Sequence, residues 1–240
     1  MLPQHWQQVL SRCQLLVFGT LTAFGALVLT GLLVRREKIG LADVGAALHR
    51  RSPLKFALGC LIGLALVALN FTITYAVLGK RWVWAPEGSI GGTIAVLLGF
   101  VAGSCAEELG FRGYPLRRLE QEFGLWMAQA IVAAVFIFYH VALGWPWANA
   151  ILGTGAGSLL FGMAAIASRG LAVPIGLHAA WNFVDWSIGG KGSAGLWKSV
   201  AEHGHSSCVP SEITFLAVTG LGILFFSLWH RRNQQRGLVA

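Results

Sequence analysis

The sequence predicts an all-α fold: a polytopic bundle of about seven transmembrane helices, with eight as the alternative count. Hydrophobic residues make up 55% of the 240 residues and charged residues only 12%, about half the usual share in soluble domains. The charges also leave long gaps, including 22 uncharged residues between Arg12 and Arg35 and 24 between Lys55 and Lys80. Because a run of about 20 apolar residues crosses a bilayer as a helix, we expect an integral, multi-pass membrane protein, in the plasma or inner membrane if it is bacterial.

The apolar runs give the expected spans and a division of the chain into three segments. The longest uncharged stretch has 46 residues and is interrupted by Gly144-Trp145-Pro146-Trp147, where turn-forming residues meet Trp, which favours the membrane interface. It therefore holds two spans. The expected spans are 14–34, 56–79, 92–119, 123–144, 147–168, 171–188 and 213–230. The segments are 1–89 with two N-terminal spans, 90–190 as a core, and 191–240 with a polar loop, a last span and a basic tail.

The net charge of +8 is explained by the arrangement of the chain in a membrane. With the N-terminus outside, 13 Lys and Arg fall on the inner side and 5 on the outer side, as the positive-inside rule favours. Because these basic residues lie in loops and at helix ends, they form no continuous basic surface that could bind a nucleic-acid duplex, and no nucleic-acid partner is expected. The cysteines are scattered without a CxxC, which argues against a disulfide framework or a zinc ribbon.

Ionisable side chains at membrane depth are costly, so each is a candidate functional residue. They fall into three groups, carried by the third, fourth and sixth spans. The first group is Glu107, Glu108 and Arg112; the second is His140; the third is His178 and Asn182.

The first group divides into a structural pair and a free carboxylate. Glu108 and Arg112 are four residues apart on one helix face, so they can pair, and each lowers the desolvation cost of the other. Glu107 is rotated by about 100° from Glu108 and cannot share that partner as easily.

The three groups are expected at similar depths in the membrane. Measured from one membrane face at 1.5 Å per residue, Glu107 and Asn182 lie about 18 Å deep and His140 about 26 Å. We therefore expect an active cavity between spans 3, 4 and 6. A carboxylate that activates water, with imidazole and amide groups that stabilise an oxyanion, suits hydrolysis. The sequence has no HExxH, GxSxG or GxGD motif for another hydrolytic mechanism.

The motifs Glu107-Glu108-x-x-x-Arg112, Phe136-x-x-x-His140 and His178-x-x-x-Asn182 resemble those of the CPBP family. This family comprises the type II CAAX prenyl endopeptidases and bacterial CAAX protease-like membrane proteins. The resemblance covers about residues 90–190. It implies a glutamate-dependent intramembrane endopeptidase in which Glu107 and His140 activate the attacking water. His178 and Asn182 would stabilise the oxyanion, while Glu108 and Arg112 hold the cavity wall.

The implied substrate is a peptide or protein that is hydrophobic, lipidated or membrane-anchored, prenylated CAAX tails included. We expect no cofactor; the alternative is Zn²⁺ or another divalent metal held by Glu107, His140 and His178, whose side chains are chemically able to ligate it. Two other readings compete with the protease. One is a non-catalytic scaffold or immunity protein of the same fold, and the other is a transporter that uses its carboxylates as a proton relay.

Overall fold

A computed structural model describes residues 4–78, 80–85, 89–191, 195–201 and 211–237. The described part of the chain is almost entirely helical, with one small sheet. Its elements, in chain order, are α1 (Gln4–Arg36), α2 (Ser52–Leu78), β1 (Lys80–Trp84), α3 (Ile90–Glu107), a π-helical turn (Glu108–Gly113), α4 (Tyr114–Phe123), α5 (Leu125–Ala142), α6 (Trp147–Asn149), a second π-helical turn (Ala150–Gly155), α7 (Ala156–Ser168), α8 (Ala172–Ser187), β2 (Trp197–Ala201) and α9 (Ser211–Gln235).

The all-α helical bundle predicted from the charge gaps is confirmed, and each of the seven expected spans is helical. Among the described residues, six helical stretches are long and apolar enough to cross a membrane. The remaining expected span, α8, has 16 residues and is about 24 Å long at a rise of 1.5 Å per residue. It is largely buried between α2 and α7, so the helix that carries His178 and Asn182 lies inside the bundle.

Large apolar side chains point outward along α1 and α2, as expected for helices in lipid. Phe18, Leu21 and Phe24 of α1 are each 66% exposed. A soluble protein would not present such a continuous apolar face to water. The interior core instead lies around α7, where Leu160, Met163 and Ala164 are buried against α8 and α9.

The third predicted span is one bent helical stretch that continues past its polar residues. Ser89 caps the start of α3 by accepting a hydrogen bond from the Gly92 amide at 3.1 Å. The helix widens into the π-helical turn at Glu108 and re-forms as α4 after Gly113. Pro115 lies in the first turn of α4, where its missing N–H breaks no helical hydrogen bond.

Glycines bring α2 and α8 into backbone contact. A Cβ on Gly59 would lie 2.1 Å from the Val173 carbonyl oxygen, and one on Gly176 would lie 2.2 Å from the Phe56 carbonyl oxygen. Small residues at such contacts allow membrane helices to approach closely. This contact fixes the position of α8, and therefore of its polar side chains, against the N-terminal part of the bundle.

The two strands were not predicted. β1 and β2 pair antiparallel, with Lys80 opposite Ala201 and Trp84 opposite Trp197, at one end of the bundle. The expected polar loop 189–211 therefore contains a strand, while its residues 192–194 and 202–210 lie outside the described part of the chain. Because α1 packs on α3 and α9 packs on α7, the helices of the three sequence segments form one bundle.

Candidate active site

The polar side chains of α3, α5 and α8 meet at one cavity of about 440 Å³. Glu107, His140, His178 and Asn182 all line it, together with apolar residues of α1, α2 and α9. The depth arithmetic from the sequence therefore predicted their convergence. Glu107, His140 and the α8 pair His178 and Asn182 lie at least 33 positions apart along the chain, so only the tertiary fold brings these three groups together.

The two adjacent glutamates have different surroundings. Glu108 is fully buried, and its Oε1 lies 3.3 Å from Nη1 of Arg112, which is also fully buried. The Glu107 side chain is 24% exposed and lines the cavity. Its Oε2 has no hydrogen-bond partner among the described residues. As the sequence predicts, Glu108 is the carboxylate paired with Arg112, and Glu107 is the one that faces the cavity.

Arg112 is enclosed by aromatic rings. Its guanidinium carbon lies 4.3 Å from the centre of the Phe136 ring and 5.7 Å from that of Phe161. Cation–π attraction offsets part of the cost of burying this charge. Glu108 and the rings together hold the guanidinium behind the cavity wall rather than in the cavity.

His178 lies between the two glutamates. Its Nδ1 is 2.9 Å from Glu108 Oε1, and its Nε2 is 3.6 Å from Glu107 Oε2. Since Glu108 is ion-paired and its carboxylate accepts, Nδ1 carries the proton and Nε2 is the nitrogen turned toward Glu107. Phe161 stacks on the imidazole with the ring centres 4.2 Å apart, so the ring plane is also fixed.

His140 is held in the same manner from another helix. Its Nδ1 lies 2.9 Å from the Phe136 carbonyl oxygen, and a carbonyl can only accept, so this nitrogen carries the proton. Phe136 and Trp145 pack against the ring, with centres 4.4 and 5.2 Å away. The nitrogen that remains for the cavity is Nε2, as in His178.

Asn182 has a partner that the sequence analysis did not identify. Lys191 Nζ donates a hydrogen bond to Asn182 Oδ1 at 3.0 Å and lies 3.5 Å from Asp185 Oδ2. Its ammonium is also 5.6 Å from the centre of the Trp145 ring. Because Lys191 occupies the oxygen of the amide, the NH₂ group of Asn182 is the end left to donate elsewhere.

Two glycines after α8 bring Lys191 to this position. Gly189 has φ of +82°, and the Gly190 amide donates to the Asp185 carbonyl at 2.8 Å. A Cβ on Gly190 would lie 2.0 Å from Asp185 Oδ1, so the chain can turn this tightly only with glycine. The Gly189-Gly190 pair at a helix end is the sequence signal that could have indicated a turn back over α8.

The alternative metal set does not form a ligand cluster in this geometry. Within the described ranges, no three His, Cys, Asp or Glu side chains are grouped so that they could hold a metal ion. Because Glu108 holds Nδ1 of His178 and the Phe136 carbonyl holds Nδ1 of His140, only Nε2 of each imidazole is left as a ligand atom. As arranged, Glu107, His140 and His178 do not form such a group.

Comparison with known proteins bears on the same part of the chain. Residues 89–184 match the family described as type II CAAX prenyl endopeptidase Rce1-like. The matched segment contains Glu107, His140, His178 and Asn182 but ends before Lys191. No curated protein matches the chain significantly. The resemblance drawn from the three motifs is therefore confirmed over this segment, which is similar to that family and lies within an integral, multi-pass membrane protein.

Proposed function

We propose that the chain is an intramembrane endopeptidase that hydrolyses a peptide bond with a water molecule activated by Glu107. The observation that carries the proposal is the free Glu107 carboxylate, which faces the cavity beside two imidazoles whose Nδ1 atoms are already engaged. A carboxylate whose cavity-facing oxygen accepts no hydrogen bond from the described residues is suited to act as a general base towards water.

In this mechanism Glu107 removes a proton from water while Nε2 of His140 accepts the water's second hydrogen bond. The water oxygen attacks the carbonyl carbon of the scissile peptide, and the carbonyl electrons move to its oxygen. When the tetrahedral intermediate collapses, the C–N bond breaks and Glu107 returns the proton to the leaving amine. The products are a new carboxyl terminus and a new amine, and no covalent enzyme intermediate forms.

The oxyanion is stabilised from α8. The NH₂ group of Asn182 donates to it, since Lys191 holds the oxygen of that amide. His178 adds a second donor to the oxyanion only when its Nε2 also carries a proton, because its Nδ1 proton is bonded to Glu108. Oriented donors of this kind commonly contribute a factor of about 10²–10³ to the rate.

The substrate in this proposal is a peptide or protein with a hydrophobic, lipidated or membrane-anchored part. The support is the apolar character of most of the cavity lining, which includes Val67, Phe100 and Phe215, and its location among membrane-spanning helices. The family match to type II CAAX prenyl endopeptidases makes a prenylated C-terminal tail the first substrate to test.

The test compares peptide termini in membranes from a host lacking the gene. The host expresses the native chain, Glu107→Gln, or Glu120→Gln as a control that alters a carboxylate of α4 outside this cavity. We expect new termini with the native chain and the control, and none with Glu107→Gln at equal expression. A phenotype rescued equally by all three chains, with identical termini, would favour the non-catalytic scaffold.

A further inference from the structure

Two polar side chains in the wall of the catalytic cavity have no task in the proposed mechanism. They are Asn70 of α2 and Thr219 of α9, and both line the cavity. Asn70 Oδ1 and Thr219 Oγ1 are buried and have no hydrogen-bond partner among the described residues. The hydroxyl of Thr154 in the same lining is already satisfied, because it donates to the Ala150 carbonyl oxygen at 2.6 Å. The pair on α2 and α9 is therefore available to bind a ligand.

These two side chains lie at the same depth on neighbouring helices. Nearer the β1–β2 end of the bundle, the hydroxyls of Thr74 and Thr214 are hydrogen-bonded at 3.3 Å. Deeper in the bundle, a Cβ on Gly222 would lie 3.0 Å from Leu66 Cδ1. The asparagine is four residues from each of these contacts on α2, and the threonine lies between the two contacts on α9. Because α2 and α9 run antiparallel through these contacts, the two polar groups share one level of the cavity wall.

The depth of this pair places it close to the oxyanion donors of α8. The helices α2 and α8 run in the same direction, and a Cβ on Gly63 would lie 2.8 Å from the Leu177 carbonyl oxygen. At the helical rise, Asn70 is about 10.5 Å beyond that contact, Asn182 about 7.5 Å and His178 about 1.5 Å. An extended peptide advances about 3.3 Å per residue, so the pair is about one to three substrate residues from the donors along the helix axes.

The chemistry of the pair matches a peptide main chain. A carboxamide and a hydroxyl each offer a donor and an acceptor, and a peptide unit offers the same two groups. Their neighbours in the lining are apolar: Val67 is on α2, and Phe215 on α9 packs edge-on against Trp181. An unsatisfied polar atom in such a wall costs free energy, and hydrogen bonds to a ligand in the cavity remove that cost. Because neither group is charged, the pair suits a neutral peptide unit rather than a carboxylate or an ammonium.

We propose that Asn70 and Thr219 bind the main chain of the substrate close to the scissile bond. They hold the extended peptide by groups that every peptide has, so they align it without selecting its side chains. This inference rests on the proposed peptidase function and adds two substrate-binding residues to it. Both lie outside residues 89–184, the segment that matches the family.

Binding is measured with the full chain carrying Glu107→Gln, in nanodiscs, so that the peptide is not cleaved. The probe is a fluorescent peptide that ends in an S-farnesyl cysteine followed by three aliphatic residues. A set of analogues replaces one main-chain amide at a time by an ester, which removes the N–H donor and keeps the length of the chain. The test variant adds Asn70→Leu and Thr219→Val to this parent. The control adds Thr74→Val and Thr214→Val, which remove a hydrogen-bonded pair of the same two helices outside the cavity lining.

We expect the test variant to bind the peptide about tenfold more weakly than the Glu107→Gln parent, since one or two hydrogen bonds are lost. At least one ester analogue should bind the parent about tenfold more weakly than the amide peptide does, whereas the test variant should bind the two peptides equally. The thermal unfolding midpoint of the test variant should be unchanged or higher, because unsatisfied polar atoms are replaced by apolar groups of similar shape. The control should have a lower midpoint and the affinity of the parent.

The inference is overturned if the test variant and the control bind the peptide equally well. It is also overturned if the parent does not bind the peptide, or binds every ester analogue as tightly as the amide peptide. These last results need only the parent, so they decide the matter even if the test variant does not fold.

Cleavage of the same peptide by the chain with Glu107 intact separates this inference from the proposed function. Cleavage that depends on Glu107, together with binding that does not depend on the pair, keeps the peptidase function and contradicts the binding role. Binding that depends on the pair, in a chain that cleaves no peptide, keeps the binding role and contradicts the peptidase function.

Discussion

His178 donates from Nδ1 to Glu108 at 2.9 Å, across 70 residues of sequence. This bond joins α8 to the π-helical turn and directs Nε2 toward the cavity-facing carboxylate of Glu107, 3.6 Å away. The glutamate that the sequence predicts to be structural therefore has a positioning task in the proposed mechanism. Through one carboxylate it holds both Arg112 and the imidazole in place.

The Arg112→Met variant should be strongly destabilised. Removing the guanidinium leaves Glu108 as an uncompensated buried charge, a change that commonly costs about 3–5 kcal/mol. Unfolding of the purified protein in mixed micelles of neutral detergent and SDS measures it. Arg117→Met is the matched control: the Arg117–Glu120 pair is partly exposed, so its loss should cost at most about 1 kcal/mol. Equal losses in the two variants would show that the Glu108–Arg112 pair has no special structural role.

The Lys191→Met variant should cleave more slowly without losing its fold. Asn182 then has no partner to orient its amide, so we expect kcat to fall about tenfold while KM changes little. Lys198→Met, an exposed lysine of β2, is the control and should be as active as the native chain. Asn182→Ala should lose less activity in the Lys191→Met background than in the native background. Additive losses would contradict the positioning role.

The Gly176→Ala variant should perturb both stability and cleavage. Its Cβ would lie 2.2 Å from the Phe56 carbonyl oxygen, so α2 and α8 must separate, at a cost of about 1–3 kcal/mol. Because α8 carries His178 and Asn182, the rate should fall as well. Gly220→Ala in α9 meets nothing within 4 Å and should be neutral or slightly stabilising. Thermal unfolding in detergent compares the two; an unchanged midpoint for Gly176→Ala would contradict the tight contact.

Cleavage should be insensitive to metal chelators. In the proposed mechanism the water is activated by Glu107, and no metal participates. Purified protein incubated with EDTA should keep its full rate under conditions in which a known zinc protease is inactivated. A rate lost with EDTA and restored by Zn²⁺ would instead support the metal alternative at Glu107, His140 and His178.

Much of the helical architecture and the convergence of the site could be predicted from the sequence, because both follow from short-range rules. Charge gaps of bilayer length predict helices, and the four-residue spacing of Glu108 and Arg112 predicts their ion pair. The depth of a residue within its span predicts which polar groups meet. These arguments need only helix geometry and the cost of charge in lipid.

The remaining features depend on long-range contacts, which periodicity does not encode. The bond from His178 to Glu108 requires the exact rotation of α8, set by the glycine contact with α2. The pairing of β1 with β2 joins residues more than a hundred positions apart. Lys191 lies in a glycine-rich loop, and its position in the sequence does not indicate a contact with Asn182. The tight Gly189-Gly190 turn brings it back to the cavity.

The most direct test of the central claim is the cleavage rate of the purified chain in nanodiscs, measured on a substrate identified from the membrane termini. Native protein, Glu107→Gln and Glu107→Asp are compared after their folds are matched by thermal unfolding. We predict that Glu107→Gln loses a factor of about 10²–10⁴ in rate and that Glu107→Asp retains part of it. Near-native cleavage by folded Glu107→Gln would contradict Glu107 as the base and with it the proposed mechanism.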